Sequence, residues 1–215
     1  TLFLLTLGTL GFYLLEHHNP ATMGTLNAAG KFQAAFFQSV TTRTAGFASI
    51  SQSGLTNGSK LLASMLMIIG GSPAGTAGGI KTTTVAVLLL TAISVLRGNK
   101  DTECYGRKIT FEIIRVGITI TLVTFVFWLF GVTVMTVIEP QQKVLDLMFE
   151  ATSAMATVGL TADLTPVLSD ISHVVLMLMM YIGRIGPMTM ALIFSGHVDK
   201  KNQFRTLPEA KIMVG

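Results

Sequence analysis

The stretch Thr44-Ala45-Gly46-Phe47 is matched, 113 residues later, by Thr157-Val158-Gly159-Leu160. Each tetrad follows a short apolar segment, residues 32–40 in the first case and 144–155 in the second. Either segment is about half as long as the ~20 residues that a helix needs to span a bilayer. Short apolar helices that end in irregular backbone are typical of re-entrant segments whose backbone faces protein or water rather than lipid. The two tetrads therefore predict an all-α membrane protein with re-entrant pore helices.

The composition agrees with a membrane protein. Of 215 residues, 50% are hydrophobic and only 12% are charged, whereas a soluble domain usually carries about twice that charged fraction. The net charge of +4 comes without an aromatic-interleaved basic patch, so nucleic acid is not an expected partner and membrane lipid is. The single cysteine, Cys104, excludes disulfides and cysteine metal clusters within the chain. No pattern in the sequence predicts an enzyme.

Four apolar stretches predict the membrane crossings. They are residues 1–15, residues 61–69 continuing after a break as 85–96, residues 116–138, and residues 174–194. The first is shorter than a full span and follows no basic segment or cleavage site. We therefore expect a longer protein, whose N-terminal part precedes this chain.

The distribution of Lys and Arg predicts the orientation. Two basic clusters lie in the loop 97–108 and in the C-terminal tail from residue 200, while the loops 48–59 and 161–173 that follow the tetrads contain no Lys or Arg. Basic loops stay on the cytoplasmic side. The loop 97–108 and the tail are thus expected to be cytoplasmic, and the tetrads to lie near the outer face.

An internal repeat accounts for the two tetrads. A shift of 113 residues is expected to align the halves without gaps, placing Phe36 on Phe149 and Gly70 on Gly183, the glycines at which both following helices should break. The repeat unit is a helix, a short pore helix, a Thr-x-Gly tetrad and a returning helix. Sites in repeated membrane proteins commonly lie between the repeats.

Potassium filters explain why such tetrads would carry chemistry. Backbone carbonyls replace the water of K⁺ when several strands direct them at one axis, as in rings of Thr-Val-Gly-Tyr-Gly loops. Residues 157–159 reproduce the first three letters of that string, and residues 44–46 are a looser version without the second glycine. The alternative interpretation is two unrelated turns in outer loops.

Residues 70–81 contain five glycines and a proline at membrane depth. Irregular backbone there must be buried in protein or line a water-filled cavity, so this loop is expected below the filter, where it would obstruct the path. A nucleotide-binding P-loop is excluded because Ile80 stands before Lys81 where that motif requires glycine, and because no strand precedes the loop.

Arg184 lies in the middle of an apolar span, where a charge costs at least ~2.5–3.5 kcal/mol. It is therefore expected to face the pore or the protein interior. The alternative is an arginine that only bonds to a neighbouring helix, or whose side chain extends along the helix to the membrane interface. Glu150, on the second pore helix, is a candidate anchor for that helix.

Four strings carry a resemblance to a known family. The string Ser39-Val40-Thr41-Thr42-Arg43-Thr44-Ala45-Gly46-Phe47 resembles the third pore loop of the Trk/Ktr/HKT potassium transporter superfamily. The string Gly70-Gly71-Ser72-Pro73-Ala74-Gly75-Thr76-Ala77-Gly78-Gly79-Ile80-Lys81-Thr82-Thr83-Thr84 is similar to its intramembrane gating loop. Ala156-Thr157-Val158-Gly159-Leu160 is similar to the fourth pore loop, and Tyr181-Ile182-Gly183-Arg184-Ile185-Gly186 resembles the arginine-bearing final helix. The bacterial Ktr-type membrane subunit is the branch that these strings resemble most.

The resemblance implies a function and a site. It implies K⁺ uptake across the bacterial plasma membrane, driven by the membrane potential, and leaves open whether Na⁺ is coupled. The implied filter residues, which would bind K⁺, are Arg43, Thr44, Ala45, Gly46, Ala156, Thr157, Val158 and Gly159. The implied gate comprises Gly70, Gly71, Ser72, Pro73, Gly75, Gly78, Gly79, Lys81 and Arg184.

The resemblance also implies an assembly. The family has four repeats and this chain shows two, the third in residues 1–100 with the gating loop 70–81, and the fourth with the cytoplasmic tail in residues 101–215. The expected partners are the N-terminal half with two further repeats, a second copy in a homodimer, and a cytoplasmic nucleotide-binding regulatory ring. The alternative function is a non-conducting membrane subunit of a larger ion-translocating assembly. Two further tetrads in the preceding half would argue against it.

Overall fold

The structure is a computed structural model that describes residues 1–72, 77–99, 101–104 and 106–186. The described part is helical, with one small hairpin. The elements in chain order are α1 (Leu2–Glu16), α2 (Ala28–Thr41), α3 (Asn57–Ile68), α4 (Thr82–Leu96), β1 (Glu103–Cys104), β2 (Arg107–Lys108), α5 (Phe111–Ile138), α6 (Val144–Met155), a 3-10 turn (Thr165–Val167) and α7 (Asp170–Ile185).

The short helices predicted before the tetrads are α2 and α6. Asn27 begins α2, because its side-chain oxygen accepts a hydrogen bond from the N–H of Gly30 (2.8 Å) and satisfies one free donor of the first turn. The bounds of α6 coincide with the predicted apolar segment. Both helices end on the residues that lead into the tetrads.

The returning helices α3 and α7 begin alike. Thr56 and Ser169 are the N-cap residues, and their hydroxyls accept from the N–H groups of Ser59 and Ser172. Thr56 and Ser169 are separated by 113 residues, as are Ser59 and Ser172. These caps therefore share the spacing of 113 residues that separates the two tetrads.

The ungapped alignment is wrong for the first helix of each half. Glu16 ends α1 and Glu139 follows α5 at the same kind of position, but these residues are 123 apart rather than 113. The reason is the connection between helices, since residues 17–27 separate α1 from α2 whereas only residues 139–143 separate α5 from α6.

The returning helices differ where they were expected to break. In the first half α3 ends at Ile68, and the chain re-enters a helix only at Thr82. The break expected at Gly183 is wrong, because α7 continues to Ile185 and gives way to Gly186 at φ +82°. Gly183 instead permits close packing, since a Cβ there would overlap the carbonyl of Met155. Residues 187–194 of the predicted span lie outside the described part.

The basic loop departs slightly from an all-α fold. Glu103 pairs with Lys108 and Cys104 with Arg107 in a two-stranded antiparallel hairpin, and Gly106 takes φ +72° between them. Cys104 is a free thiol. Among the described residues, α5 is the one helix that is long and apolar enough to cross a membrane, while α1 and α4 are apolar but shorter.

The core joins the two halves. One buried cluster contains Phe12 and Met67 from the first half together with Phe149 and Val158 from the second. A second cluster lies among α5, α6 and α7. The buried amine of Lys60 on α3 also pairs with the carboxylate of Asp146 on α6 at 2.6 Å. These contacts hold the two tetrads side by side.

Candidate ion filter and gate loop

Each pore helix ends at its tetrad. Helix α2 ends at Thr41, three residues before Thr44, and α6 ends at Met155, two residues before Thr157. The C-terminus of a helix carries a partial negative charge from its unpaired carbonyls. Two such ends directed at the tetrads favour a cation there over an anion.

The backbone of the two tetrads has the same unusual form. Thr44 and Gly46 have φ +70° and +78°, and Thr157 and Gly159 have φ +53° and +91°. Positive φ is rare for a β-branched residue, because its side chain crowds the backbone. The intervening Ala45 and Val158 are not left-handed. When left-handed residues alternate with residues that are not left-handed, successive carbonyls turn towards the same side of the chain. In a β-strand they point to opposite sides. A carbonyl-lined filter requires carbonyls that face one side.

The two tetrads lie against each other. A Cβ added to Gly46 would overlap the carbonyl oxygen of Val158, and a Cβ on Gly159 would lie 3.8 Å from the Cα of Gly46. The carbonyl oxygen of Val158 therefore faces the backbone of the first tetrad. Glycine is required at position 46 for both its backbone angle and this approach.

Hydrogen bonds from the end of α2 brace the first strand. The N–H groups of Ala45 and Gly46 donate to the carbonyl of Thr41 at 3.2 and 3.4 Å. The hydroxyl of Thr41 donates to the carbonyl of Phe47 at 2.6 Å and accepts from its N–H at 2.8 Å. The tetrad is thus closed at both ends onto one buried threonine.

Polar side chains on the pore helices hold the segments that follow the tetrads. Gln38 and Gln52, both buried, exchange amide hydrogen bonds of 2.6 and 3.1 Å. In the second half Glu150 accepts from the hydroxyl of Thr161 and from the N–H of Ala162 at 3.0 Å. Its other oxygen accepts from the hydroxyl of Thr165 at 2.9 Å. Glu150 is therefore an anchor, as expected. Gln38 and Gln52 hold the corresponding segment of the first half, although Gln38 falls on Ala151 in the repeat register.

The described residues of the loop 70–81, the candidate gate, contact the second tetrad. Its ends are joined, because Ile69 and Ile80 form a parallel bridge and the N–H of Ile80 donates to Ile68 at 2.9 Å. The N–H of Gly78 donates to the hydroxyl of Thr157 at 3.1 Å. A Cβ on Gly78 would lie 2.7 Å from the carbonyl oxygen of Ala156. The returning arm of the loop therefore touches the base of the second tetrad.

Two cations stand close to the loop. Arg43 donates through Nη2 to the carbonyl of Gly70 at 3.3 Å, and Lys81 donates to the carbonyl of Ala77. Arg43 thus reaches the gate loop from the filter side. Lys81 closes the returning arm just before α4 begins.

Arg184 lies on the last turn of α7. It lines a cavity of about 590 Å³ together with Glu150, Thr157 and Gly159. The residue is exposed to that space. The structure places Arg184 beside the second tetrad.

Close contacts join part of the predicted site. Gly46 lies against Val158 and Gly159, Gly78 lies against Ala156 and Thr157, and Arg43 donates to Gly70. The hydroxyl of Ser72 instead meets that of Thr1 at 3.2 Å. Pro73 and Gly75 lie outside the described residues. Gly79 has φ +71°, and a Cβ added to it would lie 2.9 Å from the carbonyl oxygen of Ile68. Glycine is therefore needed where the loop turns back into α4.

Two carboxylates that the sequence analysis missed join the helices within each half. Glu16, fully buried, accepts from the N–H and hydroxyl of Thr56 at 2.9 and 2.8 Å. Glu139 accepts from the N–H of Ser169 and the hydroxyl of Ser172, both at 2.8 Å. Hydrogen bonds from Ser169 and Ser172 hold the pKa of Glu139 below its ordinary value. In each half a carboxylate therefore ties the first helix to the N-cap of the returning helix.

Replacing Glu16 with alanine is expected to lower the stability of the full-length protein. The substitution leaves Thr56, Asn19 and Thr22, which all donate to this carboxylate, without their buried acceptor, and each such loss costs roughly 1–3 kcal/mol. Thermal unfolding in detergent should show a midpoint lower by several degrees. Glu103→Ala, an exposed glutamate of the basic loop, is the matched control. Equal midpoints for both variants would contradict the role of Glu16.

Apolar helices, and two tetrads that meet between helix ends, agree with a helical membrane transport protein. A protein-family model described as TrkH, a cation transport protein, matches residues 1–205. The chain therefore belongs to the TrkH family of cation transport proteins, which are transporters and not enzymes.

Individual relatives agree with this assignment. The Ktr system potassium uptake protein B of Bacillus subtilis is 37% identical over 215 residues, which cover 100% of this chain and 47% of that protein. The corresponding protein of Vibrio alginolyticus is 38% identical over 89% of this chain and 42% of its own length. The potassium/sodium uptake protein NtpJ of Enterococcus hirae is 34% identical, covering 99% of this chain and 48% of that protein. The chain thus spans about half the length of these relatives.

A solved structure shares the fold. The potassium transporter TrkH from Vibrio parahaemolyticus superposes with a TM-score of 0.73 at 17% identity, over 94% of this chain and 44% of that one. At this identity the match supports the fold alone.

Proposed function

We propose that the chain forms half of a potassium uptake pathway in the bacterial plasma membrane. It supplies two of four helix–pore-loop–helix units, residues 1–100 and 101–215, in which α2 and α6 are re-entrant pore helices. The observation that supports this proposal is that the Thr and Gly of both tetrads have positive φ and that the two tetrads contact each other. Unrelated turns in outer loops would have no reason to adopt the same angles at the same positions or to meet.

The proposed mechanism needs no reaction on the protein. K⁺ exchanges its water for carbonyls of residues 43–46 and 156–159 and of the matching strands in the other half. A membrane potential of 100 mV contributes about 2.3 kcal/mol per inward cation. The gate loop 70–81 obstructs the exit below the filter, and the positive charge of Arg184 opposes cations beside it. NtpJ is named as a potassium/sodium uptake protein, which supports Na⁺ as a second ion.

The experiment that tests this function is K⁺ flux in liposomes containing the full-length protein. We expect uptake that follows an imposed potential and exceeds that of protein-free liposomes. A non-conducting subunit of a larger assembly would show no flux of its own, and that result would overturn the proposal. Two further Thr-x-Gly tetrads in the preceding half are expected as well.

The proposed assembly follows the Ktr-type relatives. The partners are the N-terminal half, a second copy of the membrane subunit, and a cytoplasmic nucleotide-binding ring docked on the loop 97–108 and the tail from residue 200, the latter outside the described residues. The basic charge of that loop also suits simple anchoring on the cytoplasmic side. Co-purification of the full-length protein with the products of neighbouring genes would test the ring, and a lone monomer with full, ungated activity would contradict it.

A further inference from the structure

The neck of the gate loop is the place where its two arms meet. A Cβ on Gly70 would overlap the carbonyl oxygen of Gly78, and a Cβ on Gly71 would lie 2.7 Å from that of Ala77. The bridge between Ile69 and Ile80 closes the same neck. The two arms of the loop therefore move together. Separating them would break the packing contacts of the neck.

Each arm of the neck is hydrogen-bonded to a different tetrad. On the departing arm the carbonyl of Gly70 accepts from Arg43, the residue directly before Thr44. On the returning arm the N–H of Gly78 donates to the hydroxyl of Thr157. The neck thus connects the first filter strand to the second.

Arg43 contacts the neck through one of its two terminal nitrogens. The residue is half-buried, and its Nη1 is buried without a partner among the described residues. A guanidinium has five donors in a fixed fork, and leaving one of them unsatisfied is unfavourable. Among the described residues, the hydrogen bond to the carbonyl of Gly70 holds this side chain against the loop.

Thr157 is the strained member of the second strand. Its φ of +53° places a β-branched residue in the left-handed region, which persists only when neighbouring groups hold it there. The hydrogen bond from Gly78 is such a restraint. Its loss would allow the base of the second tetrad to relax.

We propose that Arg43 and Thr157 fasten the neck of the gate loop to the two filter strands, so that opening of the gate and the selectivity of the filter are coupled. Arg43 is then a positioning residue, which acts on the filter through the loop. This inference rests on the proposed function, since it presumes that residues 44–46 and 157–159 select the ion and that the loop gates it.

The test uses the full-length protein in liposomes, with K⁺ and Na⁺ flux measured per folded molecule. Arg43→Gln removes the charge and shortens the side chain. We expect a several-fold rise in K⁺ flux together with a several-fold fall in the K⁺/Na⁺ ratio. Arg43→Lys keeps the positive charge and a hydrogen-bond donor group. This variant should return the K⁺ flux and the K⁺/Na⁺ ratio part of the way to their original values. Arg115→Gln, which removes an exposed arginine of α5, controls for the loss of charge and should change neither the K⁺ flux nor the K⁺/Na⁺ ratio.

A second background separates action through the loop from direct action on ions. A second variant has its loop shortened by removal of residues 73–78, which takes away the returning arm of the neck and its hydrogen bond to the second tetrad. In that variant Arg43→Gln should have no further effect on the K⁺/Na⁺ ratio, because the neck no longer connects the two tetrads. A full effect in that background would overturn the coupling and leave the proposed function standing. An unchanged ratio for Arg43→Gln in the intact protein would overturn it as well. Absence of K⁺ flux from the unaltered protein would instead overturn the proposed function itself.

Discussion

Replacing Gly46 with serine is expected to lower K⁺/Na⁺ discrimination by the full-length transporter on the order of tenfold. At φ +78° a residue with a side chain is strained by about 1–3 kcal/mol, and the new Cβ would overlap the carbonyl of Val158. The strand must move to relieve this overlap, and about 1.4 kcal/mol of change in the preference between two ions corresponds to tenfold. Gly159→Ser should act in the same direction through its φ of +91°, with a smaller steric effect because its added Cβ meets only the Cα of Gly46 at 3.8 Å.

Gly98→Ser is the matched control for these variants. Gly98 has φ +72°, nearly that of Gly46, but a Cβ there meets nothing within 4 Å. Gly98→Ser introduces the same backbone strain but lies outside the two tetrads. This variant should therefore lower stability slightly and leave the K⁺/Na⁺ ratio unchanged. Tracer flux of K⁺ and Na⁺ into liposomes measures the ratio. Unchanged selectivity in both Gly46→Ser and Gly159→Ser would count decisively against a filter built from these tetrads.

The sequence predicted where helices lie better than where they begin. The apolar run 144–155 is α6 without correction. By contrast, α3 begins at Asn57 and α7 at Asp170, four residues before the predicted runs. The first turn of each helix is polar, because the N-cap hydroxyls of Thr56 and Ser169 and the serines they bond occupy it. A search for apolar residues therefore starts one turn late.

The sequence also identified the two tetrads, because Thr-x-Gly is a local pattern and its repetition is visible along the chain. It did not identify the groups that hold them. Gln38 and Gln52 are 14 residues apart, and Glu16 lies 40 residues from Thr56. Such pairs are brought together by the packing of helices, so no local rule of spacing reveals them. Glu150 was a candidate anchor only because of its position on the second short helix.

Shortening the gate loop within residues 73–79 is expected to raise K⁺ flux by the full-length protein severalfold. The described part of the loop touches the base of the second tetrad through Gly78 and the first tetrad through Arg43, so an ion leaving the filter would meet this backbone. Removing the obstruction lowers the barrier to exit. The measurement is K⁺ uptake per correctly folded molecule. Lower flux at normal protein levels would rule out a gate in this loop.

Arg184→Ala should raise K⁺ flux too, because it removes a positive charge from the cavity that Thr157 and Gly159 line. Combined with the shortened loop, its effect should be less than additive, since both changes act on one obstruction and residues in a shared network are coupled. If Arg184 instead only pairs α7 with a neighbouring element, its removal leaves a buried partner unsatisfied. Protein yield and flux would then fall together, and the double variant would resemble the sum of the single ones. Uptake by the two single variants and the double variant therefore decides whether the arginine belongs to the gate or to the scaffold.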